Sequence, residues 1–455
     1  MNTMRVLALM LLLTLSACDE QSATNTPPPE QDLYPELEEN DDTQLPPSEL
    51  DEEVDEEQEL PPPDCELPLA QREQALSFSP QSQRYALERC EELRLRFVAV
   101  AGQQLSIAFR FAPSEDADAR GVALALAYPT DEPWSQALLS EISVSSSKAT
   151  VVDWVAPRGG EFIIALRALE PRVPVHFELA LECMSKCEQS ATRYPILLVH
   201  GWTGWDSIGP YQYFFRVPEH LREGGAEAHV ASLDPYNSVT VRAEQLAQQI
   251  DALLAEQHAQ KLNIIAHSQG GLDARRAISA LGYGDRIGAL VTISTPHRGT
   301  PLSDVALGIL PGEAQEALSF LLNLLGAIAV GSESDALASF GSLTEAWVQQ
   351  EFNPQHPDDP RVSYLSYAGR CCATGEGCGD LCDVEIQFTH HLLQALAGDN
   401  DGVVPVSSAV WGEYLGEIPA DHFDQVGQLA GVTGPNFNHL EFYQSVKMLL
   451  VERGF

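Results

Sequence analysis

The chain has 455 residues, of which 44% are hydrophobic, and a formal net charge of −40. One ordinary core cannot accommodate this length, so the composition favours one or two folded domains with unfolded segments beside them. Much of the charge lies in residues 19–64, which contain 18 Asp or Glu, nine Pro and no Lys or Arg. Such a segment buries too little apolar surface to fold, so we predict a disordered, acidic, Pro-rich tether there and expect no nucleic-acid partner.

Residues 1–18 have the pattern of an export signal. Arg5 precedes an apolar run, and the small residues Ser16 and Ala17 then lead to Cys18. This pattern predicts a secretory signal peptide, and the run is too short for a transmembrane helix. The cysteine resembles the lipobox of bacterial lipoproteins, which implies export to the cell envelope, at the outer membrane or cell surface, with a lipid anchor on Cys18. An ordinary signal peptide is the alternative.

Eight further cysteines fall into two groups: Cys65, Cys90, Cys183 and Cys187, then Cys371, Cys372, Cys378 and Cys382. An even number of cysteines in an exported chain predicts disulfide bonds, with pairings that the sequence leaves open. A zinc site in the second group is the alternative, but that group lacks a CxxC pair.

Residues 65–187 show hydrophobic residues with a period of two. The alternation is clear at Leu93 to Phe97, Leu105 to Phe111, Val122 to Tyr128 and Val175 to Leu181. Several such runs separated by turn residues predict a β-sandwich domain without a catalytic constellation. A spacer, a surface-binding module and a lid on the second domain are all open as its role.

Residues 190–455 change to alternating strands and helices. Strand-like segments occur at Pro195 to Val199, Ala228 to Leu233, Leu262 to Ala266 and Ala289 to Ser294. Between them, Leu246, Ile250, Leu253 and Leu254 form the apolar stripe of a helix. The alternation predicts an α/β domain around a mostly parallel sheet.

Ser268 is the candidate nucleophile. The strand before it and the Gly270 to Leu281 helix after it match a nucleophile elbow, a sharp strand-to-helix turn that exposes a serine. Small residues are needed two positions to either side, and Ala266 and Gly270 occupy them. Two main-chain N–H groups, those of Trp202 and Gln269, are the candidate oxyanion hole, because one follows the first strand of the domain and the other follows the serine.

Five motifs in order carry a resemblance to a family: Tyr194–Gly201, His267–Gly271, Ser294–Gly299, Asn400–Val404 and His422–Gln428. In them the chain from Tyr194 onward resembles the bacterial true lipases of the Pseudomonas and Burkholderia type, which are α/β-hydrolases that act on triacylglycerols. The resemblance implies an α/β-hydrolase fold, an acylglycerol or other lipid ester as substrate at an interface, and allows for a lipase-specific folding chaperone as a partner.

The resemblance also implies the roles of individual residues. Ser268 would be the nucleophile, His422 the general base and Asp401 the carboxylate that orients it, with Asp399 as the alternative acid. The reaction would pass through an acyl-enzyme that water hydrolyses.

A structural calcium ion beside the catalytic histidine is a further implication of the resemblance. Its ligands would be the Asp383 and Asp424 carboxylates, the Gln428 amide oxygen and the Val432 main-chain oxygen, with Asp380 as the alternative to Asp383. Oxygen ligands of this kind are those that calcium prefers.

Residues 301–343 are unusually apolar for a connection, with Leu, Ile, Val and Phe recurring between Leu318 and Val330. A buried core helix would explain this, but the position in the resemblance favours a lid over the active site. We therefore expect a long-chain ester hydrolase. The alternatives are an esterase for short soluble esters and an inert surface-binding protein on a hydrolase scaffold. The tether, the β domain and the cysteines from Cys371 to Cys382 are departures from the family.

Overall fold

The computed structural model describes eleven stretches, residues 70–88, 90–112, 122–129, 138–144, 149–168, 174–202, 207–208, 211–310, 336–374, 379–428 and 430–455. The predictions of a signal peptide, a lipid anchor on Cys18 and an acidic tether lie outside these residues, as do Cys65, Cys378 and the middle of the expected lid. Within the described residues, no helix has both the length and the apolar character needed to cross a membrane.

The N-terminal part is a β-sandwich, as the period-two pattern predicted. Its strands are β1 (Ala70–Ala75), β2 (Ser79–Leu87), β3 (Glu91–Ala99), β4 (Gln104–Phe111), β5 (Val122–Ala127), β6 (Leu138–Val144), β7 (Thr150–Val155), β8 (Gly160–Ala168) and β9 (Val175–Cys183). One sheet has the order β1-β3-β8-β5-β6 and the other the order β2-β9-β4-β7. Their facing side chains form one core that includes Leu95, Ile107, Phe162 and Phe177.

Strand β8 was not expected from the sequence. Its residues Gly160 to Leu166 are buried without alternation, so both faces of the strand are covered. A continuous apolar run of this kind carries no period-two signal.

The second part contains a six-stranded parallel sheet. Its strands are β10 (Ile196–Val199), β13 (Ala228–Val230), β14 (Leu262–His267), β15 (Ile287–Ile293), β16 (Ser363–Gly369) and β17 (Glu413–Ile418), and a two-stranded ribbon, β11 (Ser207–Ile208) with β12 (Tyr211–Gln212), precedes β13. The strands have the order β13-β10-β14-β15-β16-β17 in the sheet. Along the chain, β13 is added on one side of β10 and β14 on the other, so β10 and β14 are neighbours at the switch point. Open α/β sheets place their sites at the carboxyl ends of the strands beside such a point.

Helices cover both faces of this sheet. They are α1 (Val217–Glu223), α2 (Val239–Glu256), α3 (Gly270–Ser279), α4 (Pro301–Ala306), α5 (Ala336–Gly341), α6 (Glu345–Trp347), α7 (Asn353–Gln355), α8 (Gln387–Ala397), α9 (Val406–Ala409) and α10 (His439–Glu452). The expected stripe on α2 is confirmed, since Leu246 and Ile250 are fully buried against the sheet. On the other face, Tyr443 and Leu450 of α10 pack against Ile196 and Leu198.

Disulfide bonds occur in both cysteine groups. Cys183 pairs with Cys187 and Cys371 with Cys382, and Cys90 and Cys372 are also disulfide-bonded. Among the described residues, Cys371, Cys382 and His390 lie close enough to bind a metal. The two sulfur atoms are joined to each other, so the disulfide prediction is confirmed here and the zinc alternative fails for these residues.

Candidate active site

The turn from β14 to α3 has the steric features of a nucleophile elbow. Ser268 has φ of 56°, in the left-handed region that a serine seldom adopts. A Cβ atom on Gly270 would lie 2.6 Å from the Val199 carbonyl oxygen, so a side chain there would collide with β10. The strained backbone, together with Gly270 two positions on, holds the Ser268 side chain at the carboxyl end of the sheet.

The structure brings the three expected side chains together. His422 Nε2 lies 3.1 Å from Ser268 Oγ, so the serine hydroxyl can donate its proton to this nitrogen. On the other side of the ring, His422 Nδ1 donates to Asp401 Oδ2 at 2.7 Å. Ser268, His422 and Asp401 are 7%, 6% and 0% exposed, so solvent competes weakly for these bonds.

Asp401 is held as a charged carboxylate. Its burial by itself would raise the pKa, but the charge and hydrogen bond of His422, the main-chain N–H of Val404 and the amide of Gln425 lower the pKa to about 2. Its other oxygen, Oδ1, accepts from the Val403 and Val404 N–H groups at 3.0 and 2.7 Å. Four described groups, His422, Gln425 and the N–H groups of Val403 and Val404, therefore fix its orientation and charge.

Asp399, the alternative acid, lies elsewhere. Its carboxylate is 3.3 Å from Arg370 Nη2 and its side chain is 49% exposed. Although it is two residues from Asp401 in sequence, it faces a surface arginine and not the His422 ring.

The loop after β10 lies directly beside Ser268. A Cβ atom on Gly201 would lie 2.5 Å from Ser268 Cβ, so the main chain leading to Trp202 runs against the serine. Gln269 occupies the N-cap position of α3, where main-chain N–H groups lack helical partners. Gly201, which precedes Trp202, thus lies against Ser268, and Gln269 follows the serine directly, while their role as an oxyanion hole stays a prediction.

Sequence reasoning missed a buried ion pair behind this loop. Arg242 Nε donates to Asp273 Oδ2 at 2.8 Å, and neither side chain has any exposed area. The same guanidinium donates to the carbonyl oxygens of His200 and Asp234, each at 2.6 Å. The available signal in the sequence was a charged residue, Arg242, on the buried face of the predicted helix α2. The ion pair and the bond to His200 tie α2 and α3 to the end of β10.

The flanks of the expected lid reach the same region. On α5, the Ser339 hydroxyl donates to Gln269 Oε1 at 2.9 Å, and the Phe340 ring lies 4.5 Å from the Trp202 ring. The apolar residues from Leu318 to Val330 are outside the described residues, so a lid there stays a prediction.

A carboxylate cluster lies beside the loop that carries His422. Asp380, Asp421 and Asp424 offer ligand atoms within 4.8 Å of one another and could hold a metal ion. Asp380, named as the alternative, is in this group, whereas Asp383 lies beside it and donates its main-chain N–H to Asp421 Oδ2 at 2.8 Å. Asp421 was not expected from the sequence.

The electrostatics of this cluster suit a cation. Burial, followed by the neighbouring carboxylates, raises the pKa of Asp383, of Asp421 and of Asp424 to about 7 in each case. Clustered carboxylates that repel one another bind a hard divalent cation well. Gln428 and Val432 follow on the same loop, where Val432 is 69% exposed.

The sheet order, the strained serine and the histidine and aspartate beside it define an α/β-hydrolase. A profile of the palmitoyl protein thioesterase family matches residues 195–367. The chain is 30% identical to a triacylglycerol lipase of Vibrio cholerae over 271 residues, 55% of this chain and 84% of the relative. It is 27% identical to one from Burkholderia plantarii over 334 residues, 62% of this chain and 92% of the relative. Mature Bacillus licheniformis lipase BlEst2 superposes with a TM-score of 0.43 at 21% identity, covering 56% of this chain and 91% of that chain.

The chain belongs to the family of bacterial triacylglycerol lipases, and it is a hydrolase. The resemblance found in the five sequence motifs is thereby confirmed, as is the α/β-hydrolase fold. The alternative of an inert scaffold finds no support.

Proposed function

We propose that this protein hydrolyses the ester bonds of long-chain acylglycerols with Ser268, His422 and Asp401 as its catalytic triad. The observation that carries the proposal is the uninterrupted hydrogen-bond line from Ser268 Oγ through the His422 ring to Asp401, at 3.1 and 2.7 Å. It is supported by the strained backbone of Ser268 and by the relatives described as triacylglycerol lipases.

The geometry supports a two-step mechanism. His422 Nε2 takes the proton of Ser268 as Oγ attacks the ester carbonyl, and the main-chain N–H groups of Trp202 and Gln269 receive the developing oxyanion. His422 then gives the proton to the leaving alcohol, which leaves an acyl group on Ser268. Water, deprotonated by the same nitrogen, attacks this acyl-enzyme and releases the fatty acid.

A fluorophosphonate probe tests the nucleophile. Wild-type protein should be labelled at Ser268 and lose its activity on tributyrin, and the Ser268→Ala variant should be neither labelled nor active. Ser279, at the end of the helix α3 that follows Ser268 and hydrogen-bonded to the Arg275 carbonyl oxygen at 2.8 Å, provides the control position. Hydrolysis by Ser268→Ala at the wild-type rate would show that another residue is the nucleophile.

The preference for long-chain esters is tested by the dependence on substrate aggregation. If α5 and the residues before it form a lid, activity on a partly soluble ester should rise sharply once its concentration exceeds the solubility limit. A smooth saturation curve through that limit would favour the esterase alternative. Because the thioesterase profile covers residues 195–367, palmitoyl-coenzyme A should be assayed beside the acylglycerol, and faster turnover of the thioester would change the assigned substrate class.

A structural calcium ion is part of the proposal. The carboxylates of Asp424 and Asp380, with Asp383 as the sequence-based candidate, and oxygens of Gln428 and Val432 would hold it beside the His422 loop. The ion would supply positive charge that offsets the repulsion among the carboxylates. Chelation should lower the melting temperature of wild type, and Asp424→Asn should abolish this response while Asp399→Asn keeps it. An unchanged wild-type melting temperature would contradict the site.

Export and lipid attachment at Cys18 complete the proposal, on the strength of the lipobox-like sequence. Cells fed a labelled fatty acid should label the protein and retain it in the membrane fraction, and Cys18→Ala should remove both. A wild-type protein found unlabelled in the medium would contradict the anchor.

A further inference from the structure

A second histidine lies beside the triad without belonging to it. His267 precedes Ser268, is 1% exposed, and its ring centroid is 4.4 Å from that of His422. Burial, together with the positive charge that His422 can carry, holds the pKa of His267 well below its usual value. His267 is therefore a neutral ring with one N–H donor and one acceptor nitrogen.

Both nitrogens of His267 have partners. Its Nδ1 is 2.7 Å from the Tyr213 hydroxyl, and its Nε2 is 3.1 Å from Gln425 Oε1. The amide nitrogen of the same glutamine, Gln425 Nε2, donates to Asp401 Oδ2 at 2.9 Å. Gln425 thus connects the second histidine to the triad carboxylate, and it has no exposed area.

The charge of Asp401 sets the direction of every bond in this chain. An ionised carboxylate accepts only, so Gln425 must present its NH2 group to Asp401 and its oxygen to His267. His267 must then carry its proton on Nε2, and Tyr213 must donate to Nδ1. The Tyr213 hydroxyl also lies against the main chain at Gly201, on the oxyanion side of Ser268, since a Cβ atom on Gly201 would lie 3.0 Å from it.

Close packing surrounds the Gln425 side chain. A Cβ atom on Gly369 of β16 would collide with Gln425 Nε2, and the main-chain N–H of Gln425 donates to the Asp421 carbonyl oxygen at 3.2 Å. The side chain is therefore clamped between the end of β16 and the loop that carries His422.

We propose that Gln425 is a positioning residue of the ester hydrolysis, which fixes the Asp401 carboxylate and, through His267 and Tyr213, links it to the Gly201 end of the oxyanion loop. The inference rests on the triad proposed above. It predicts that Gln425 affects the rate of the chemical step through Asp401, beyond any effect on folding. A hydrogen bond to a charged group corresponds to about one to two powers of ten in a rate or equilibrium constant.

The test compares kcat and KM of single and double variants of the full chain, with a soluble ester such as p-nitrophenyl butyrate as substrate. Gln425→Met keeps the length of the side chain and removes its hydrogen bonds to Asp401 and His267, together with a long one to the Ala420 carbonyl oxygen. We expect kcat to fall about 10- to 100-fold with KM changed less than about threefold. The control is Gln249→Met, because the Gln249 side chain also uses its oxygen and its nitrogen in hydrogen bonds, in its case to the Ser232 main chain at 2.8 and 2.6 Å, but lies on α2 away from the site. It should keep the wild-type kcat.

Two further variants separate positioning from folding. In an Asp401→Asn background, Gln425→Met should lower kcat by less than about threefold, because its target is gone. Tyr213→Phe removes only the hydroxyl at the far end of the chain, and its loss of kcat should be smaller than that of Gln425→Met and less than additive with it.

A lower melting temperature with unchanged kcat in Gln425→Met would overturn the proposal and leave Gln425 a purely structural residue. An equally large loss in the Asp401→Asn background would overturn the route through Asp401. Failure of the triad itself would be seen separately, as wild-type activity in Ser268→Ala or Asp401→Asn.

Discussion

Replacement of Asp401 by asparagine is the sharpest test of the triad geometry. In wild type, Oδ1 accepts from the N–H groups of Val403 and Val404, and Oδ2 accepts from His422 and Gln425. The asparagine oxygen is expected to stay with the two main-chain donors, because turning the amide over would aim its NH2 group at them. The NH2 group then takes the place of Oδ2 and faces His422 Nδ1.

This arrangement forces the wrong tautomer of His422. Nδ1 must accept from the new amide, so the ring proton moves to Nε2, which points at Ser268 Oγ and can no longer take its proton. The same exchange in serine proteases costs about 10⁴-fold in kcat. We expect a loss of about 10³- to 10⁴-fold here, which corresponds to about 4–5.5 kcal/mol of transition-state stabilisation.

The assay is kcat on p-nitrophenyl butyrate at neutral pH, with the folded fraction checked by thermal unfolding. The matched control is Asp399→Asn, since Asp399 is exposed and paired only with Arg370 among the described residues. It should retain kcat within about twofold, as expected for a surface ion pair. A folded Asp401→Asn protein with kcat within tenfold of wild type would refute the assignment of Asp401.

Three further predictions concern stability. Gly270→Ala places a methyl group 2.6 Å from the Val199 carbonyl oxygen, so the free energy of unfolding in urea should fall by about 1–3 kcal/mol; an unchanged denaturation midpoint would contradict the close approach. Arg242→Met leaves the fully buried Asp273 without its partner and should cost about 3–5 kcal/mol, whereas Arg242→Met with Asp273→Leu should recover part of this loss. Burial and the charge of Arg242 lower the pKa of His200 from 6.5 to about 3. The unfolded chain therefore gains a proton below pH 6.5 that the folded one does not, and this histidine's contribution to stability falls by about 1.4 kcal/mol per pH unit as the pH drops. The free energy of unfolding of His200→Gln should lack this part of the dependence on pH. The same pH dependence in wild type and variant would refute the role of His200.

The elbow could be predicted because its requirements are local. A serine forced into a left-handed turn needs small neighbours, and Ala266 and Gly270 show this in the sequence without reference to distant residues. The parallel sheet was predictable for a similar reason, since the alternation of apolar strands with an amphipathic helix is a short-range pattern. Strand ends were less well defined, and the expected segment from Ala228 to Leu233 forms a strand only over Ala228–Val230.

Choices between nearby residues needed the tertiary structure. Asp399 and Asp401 are two positions apart and chemically identical, yet only Asp401 is buried against His422, because the turn between Asn400 and Pro405 directs the two side chains differently. The same holds for Asp380 and Asp383. Asp380 lies within the loop closed by the Cys371–Cys382 disulfide and belongs to the cluster with Asp421 and Asp424, whereas Asp383 follows that loop.

The sequence by itself determined where a reactive serine can sit, because backbone strain and the size of neighbouring residues act within a few positions. It also carried the family motifs that point to His422 and Asp401. Only the folded chain decided the partners of Gln425, since His267 and Asp401 reach it from separate elements and Tyr213 reaches His267 from another part of the chain. Hydrogen bonds depend on distances of about 3 Å, and spacing along a chain does not fix such distances between residues that are brought together only when the sheet forms.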